Sequence, residues 1–121
     1  MITQLPQSEG DTIGIQVSGK VDRAEEQKWI STFDSLIKQY DKINVVVVID
    51  DNVDMTLNAF FDDIKWTFSH LKHMNKLAIV STSRVIKWLV EADRPFAKIV
   101  NIDEQYFTVN ELSKAWAWVK N

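Results

Sequence analysis

Ile43-Asn44-Val45-Val46-Val47-Val48-Ile49 is the stretch that decides the fold. From Val45 to Ile49 every residue is apolar, so an extended chain here has no polar side. A strand of that kind belongs at the centre of a sheet covered by helices on both faces. Asp50-Asp51-Asn52 stops it. Before it, Asp22 opens a helix, with Glu25 at capping-box spacing. In that helix Trp29, Ile30, Phe33, Leu36, Ile37 and Tyr40 repeat at helical spacing against a face of Glu26, Lys28, Ser31, Asp34, Ser35 and Lys38. This is an amphipathic helix lying on a sheet.

Further toward the N-terminus, Ile13, Ile15 and Val17 alternate with Gly14, Gln16 and Ser18, the pattern of a half-covered strand. Ile2–Leu5 reads as a strand joined to it by a hairpin, through the turn formers of Pro6-Gln7-Ser8-Glu9-Gly10-Asp11. Toward the C-terminus, Thr56 or Asp54 caps a second helix running to about Met74. Lys76–Ser81 is another buried strand. Ser83 caps a third helix reaching Pro95, and Glu104–Val109 is a short last strand. Asn110 caps a final helix ending Ala115-Trp116-Ala117-Trp118-Val119. Helices alternating with buried strands imply parallel pairing through right-handed crossovers. The expectation is an α/β fold with a mixed, mostly parallel five-stranded sheet. It has an N-terminal antiparallel hairpin strand and four helices, and it forms one domain over residues 1–121.

The composition excludes several functions. With 121 residues the chain buries a core without staples. It has no cysteine, hence no disulfide, thiolate nucleophile or cysteine metal site. Net charge is −3 and the cations are scattered, which speaks against nucleic acid as a partner. The N-terminus shows no secretory signal, and the apolar run is far short of the roughly 20 residues of a membrane span. The expected location is cytoplasmic.

Catalytic motifs fail one by one. Asp50, Asp51 and Asp54 follow a central strand, where ligands bind in many open α/β sheets. A haloacid-type phosphatase, however, needs Asp where Asn52 stands, and a turn with capping carboxylates accounts for the cluster. His70 and His73 have zinc spacing but no further ligands. Ser81-Thr82-Ser83 lacks a nucleophile elbow. The three glycines, at 10, 14 and 19, make no phosphate loop. The reading is of a protein that is not an enzyme and needs no cofactor.

Three stretches carry a family likeness. Val17-Ser18-Gly19-Lys20-Val21 closes the second strand. Asp63–Lys72 runs into Leu77-Ala78-Ile79-Val80, and Glu111–Val119 ends the chain. In these the chain resembles the SpoIIAA-like branch of the STAS superfamily, the sulfate-transporter and anti-sigma-factor-antagonist domains. The resemblance implies a two-layer, STAS-like sandwich related in fold to CRAL-TRIO lipid-transfer domains. It also implies a cleft for nonpolar molecules and transient contact with a membrane surface. Anti-sigma-factor antagonists carry a phosphorylatable Ser in an Asp-Ser-Ser-Gly-like run. Here Asp54–Ala59 offers only Thr56, with no glycine after it.

The second and third helices are the informative ones. Leu57, Phe60, Phe61, Ile64, Phe68 and Leu71 form the apolar face of the second. Val85, Ile86, Trp88, Leu89, Val90, Ala92 and Phe96 wrap most of the third, leaving only Lys87, Glu91 and Arg94 as a polar stripe. A helix apolar nearly all round must be covered. Core packing or a second subunit would do this, and so would an apolar ligand. The leading expectation is a carrier or sensor of a small nonpolar or amphipathic molecule. Met55, Leu57, Phe60, Phe61, Ile64, Trp88 and Leu89 would line its cleft. The alternative is a protein-interaction or regulatory module of anti-sigma-factor-antagonist type lacking the usual serine, with a protein partner or a second copy on those aromatics.

Overall fold

The structure, a computed structural model, describes residues 1–50, 74–82, 84, 87, 88, 90, 91 and 103–120. Its elements are β1 (Ile2–Gln4), β2 (Thr12–Val17), α1 (Arg23–Tyr40), β3 (Ile43–Ile49), β4 (Met74–Val80) and β5 (Asp103–Phe107). A 3-10 turn (Val109–Glu111) then leads into α2 (Leu112–Lys120). Arg84, Lys87, Trp88, Val90 and Glu91 are also helical. Two helices are therefore complete among the described residues, against the four expected. The expected second helix lies outside those residues, and the third is seen only at these five positions.

One sheet holds all five strands in the order β1-β2-β3-β4-β5. β1 is antiparallel to β2, and every other pair is parallel. The hairpin edge, the mixed sheet and the central place of Ile43–Ile49 are as the sequence reads. In β3 all seven residues are buried. Val46 lies level with Gly14 on one side and Ala78 on the other; Val47 lies level with Ile15 and Ile79.

Strand order equals chain order, so each parallel crossover steps the same way across the sheet. With a fixed right-handed sense, the described parts of the β2–β3 and β4–β5 crossovers belong on the same face. The packing follows this rule. Trp29, Phe33 and Ile37 of α1, from the β2–β3 connection, and Val90, from the β4–β5 connection, share one core with Ile13, Ile15, Val17, Val45, Val47, Ile49, Leu77 and Ile79. The other face is covered by α2. Ala115, Trp116 and Val119 of α2 pack on Val46, Val48, Ala78, Val80 and Phe107. The two-layer sandwich that the resemblance implied is thus corrected to a sheet with a helix on each face, as the doubly apolar run of β3 reads.

This second layer explains Gly14. The sequence reads β2 as half-covered with Gly14 on its open side, whereas Gly14 is buried. A Cβ there would stand 2.5 Å from Cζ2 and Cη2 of Trp116 and 3.0 Å from Cδ1 of Leu5. The indole occupies the space a side chain would need.

Polar groups fix the ends of these layers. Asp22 caps α1 by accepting from the Glu25 N–H at 2.8 Å. Glu25 does not close the capping box. Its carboxylate accepts instead from the Ile2 N–H at 2.7 Å, which ties α1 to the edge strand. On the α2 face β3 turns polar at its start, where buried Asn44 donates to Thr12 at 3.4 Å and accepts from Asn75 at 3.0 Å. Lys76 Nζ donates to the Trp118 carbonyl at 3.0 Å and stands 5.3 Å from the Trp118 ring centre, securing the last turn of α2.

Replacing Gly14 by Ala should destabilise the fold by about 1–3 kcal/mol, the usual effect of overpacking. The urea midpoint of Gly14→Ala would read this. An unchanged midpoint would mean that Trp116 is not seated on Gly14.

Candidate functional site

Of the seven residues expected to line a cleft, the structure describes one. Met55, Leu57, Phe60, Phe61, Ile64 and Leu89 lie outside the described residues, as do Thr56, Asp51, Asp54, His70, His73 and Ser83. Trp88 is described and is 67% exposed. The structure therefore brings no expected pair of site residues together among those it describes.

Trp88 owes its position to helical phase. At about 100° per residue, Arg84, Lys87, Trp88 and Glu91 fall within about 100° of one another, and Val90 lies about 110° from their centre. Val90 is 5% exposed and belongs to the core under α1. With Val90 turned in, the other four turn out, and all four are exposed. The expected polar stripe on Lys87 and Glu91 is real, and Trp88 stands on it rather than opposite it. Arg84, Lys87 and Glu91 take part in no ion pair among the described residues.

The stripe adjoins the start of α2. Glu111 accepts from the Thr108 N–H at 3.0 Å and from the Thr108 hydroxyl at 3.1 Å. The cap position thus falls on Thr108, not on Asn110 as expected. These hydrogen bonds from Thr108 hold the Glu111 carboxyl below its ordinary pKa, backbone contribution first, and the charges of Lys114 and Lys87 add to the effect. In the Val109–Glu111 turn, Val109 is 43% exposed. The tryptophan-bearing segment and this turn follow directly on the carboxyl ends of parallel strands, β4 and β5, the end where open α/β sheets commonly present binding groups.

Beneath them, the α1-side face of β5 is not purely apolar. Glu104 and Tyr106 alternate there, level with Leu77 and Ile79 of β4. Glu104 is 4% exposed. The Tyr106 hydroxyl donates to the Ser81 carbonyl at 2.6 Å, pinning the loop after β4 to β5. Burial raises the Tyr106 pKa above its ordinary value, outweighing the lowering effect of the Ser81 side chain. Sequence reasoning missed both residues, although the alternation Glu104, Tyr106 against Gln105, Phe107 was there to be read.

The acidic turn, as far as it is described, is a clasp. The Asp50 carboxylate accepts from the Gln16 amide at 2.7 Å, and its N–H donates to the Val17 carbonyl at 3.0 Å. Among the described residues no three His, Cys, Asp or Glu side chains gather where they would hold a metal ion. Nor is any helix there long and apolar enough to cross a membrane.

The profile of a family described as SpoIIAA-like matches residues 12–120. Among solved structures, an uncharacterized protein of the DUF3478 family from Shewanella loihica PV-4, described as having a SpoIIAA-like fold, superposes with a TM-score of 0.64 at 17% identity, covering 98% of this chain and 93% of its own. At that identity the likeness speaks for the fold alone. No curated protein matches.

Two titrations test this geometry. Glu111 has a depressed folded pKa, so its contribution to stability is present above the ordinary 4.5 and is lost as pH falls through the lower folded value. Unfolding midpoints measured down through this range should fall less steeply for Glu111→Gln than for the parent chain; equal slopes would contradict the capping role. Tyr106 has a raised folded pKa, so its contribution is present below the ordinary 10.0 and is lost as pH rises through the higher folded value. Tyrosinate absorbance during alkaline titration should show a phenol ionising above pH 10.0, and Tyr106→Phe should remove it.

Proposed function

Because the chain belongs to the SpoIIAA-like family, we propose that it is a non-enzymatic binding domain whose recognition surface is the exposed stripe of Arg84, Lys87, Trp88 and Glu91, and whose partner is another protein. The observation that carries this reading is the 67% exposure of Trp88 beside the buried Val90. A large apolar ring held out to water by a neighbour locked in the core is the form of an interaction anchor. Tryptophan and arginine are the residue types that dominate interface energies. Arg84 and Trp88 stand i, i+4 on the same helical face, so the surface offers both apolar area and charge. A STAS-type regulatory role suits this reading and does not need Thr56.

A second reading, a carrier of a small nonpolar or amphipathic molecule, draws on a different observation. On the α1-side face of β4 and β5, apolar Leu77 and Ile79 stand level with Glu104 and Tyr106. A few polar groups on an apolar floor are what an amphipathic ligand requires. Under this reading Met55, Leu57, Phe60, Phe61, Ile64 and Leu89 would complete the lining, with Trp88 at the rim. Transient contact with a membrane surface would then serve loading or release.

A photo-crosslinking amino acid in place of Trp88, introduced in living cells and compared with the same group at exposed Lys38 on α1, separates the readings. The interaction reading expects a defined protein adduct from position 88 and none from position 38. Adducts confined to lipid or another small apolar molecule would transfer the conclusion to the carrier. Absence of any adduct specific to position 88 would overturn the proposal.

A further inference from the structure

We draw no further inference here: the strongest candidate, the exposed stripe of Arg84, Lys87, Trp88 and Glu91 beside the start of α2, belongs to the site already described, and nothing in the structure shows what covers it.

Discussion

Val46 and Val48 point to one face of the sheet and Val45, Val47 and Ile49 to the other, and neither set tolerates water. Full burial of each such side chain contributes about 1.5–3 kcal/mol, so a strand of this kind forms only where both faces are covered. The described parts of the β2–β3 and β4–β5 crossovers cover one face, and α2 covers the other. Trp116 takes part in this cover with Ala115 and Val119, and it seats against β2 where the strand has a glycine at position 14. The middle strand, the bare glycine and the terminal tryptophan are three parts of one constraint.

Much of this was legible in the sequence, because burial leaves periodic marks. The unbroken apolar run marked β3, the 3.6-residue repeat marked α1 with its Asp22 cap, and the turn formers marked the hairpin. The misreadings have physical reasons too. Gly14 has no side chain, so alternation alone assigned it to the polar side, and only the packing of Trp116 shows what the position is for. Asn110 is a good cap by type, but the 3-10 turn moves the cap position to Thr108, where Glu111 accepts from both donors. The doubly apolar run called for cover on both faces, as the packing on each side of β3 bears out, while the two-layer sandwich came from the family resemblance; helical periodicity says that a helix has a buried side, not which face of the sheet it meets.

The site was harder to read for a related reason. A helix apolar around most of its circumference carries no phase, so Val85–Phe96 gave no way to choose which of Trp88 and Val90 points inward. Val90 settles this by joining the α1-side core. Glu104 and Tyr106 escaped notice because polar residues on a short strand read as its wet side, whereas Glu104 is almost wholly buried. The remaining residues expected to line a cleft lie outside the described part of the chain, so their part in binding stands on the second reading alone.

The functional account rests on the phase of that one helical segment, which equilibrium unfolding of Val90→Ala and Trp88→Ala tests directly. Two buried methyl groups and the space they leave should make Val90→Ala cost about 1.5–3 kcal/mol. An exposed ring with no packing role should make Trp88→Ala cost no more than about 0.5 kcal/mol. The reverse order, with Trp88 costly and Val90 silent, would turn the helix around and remove the recognition surface.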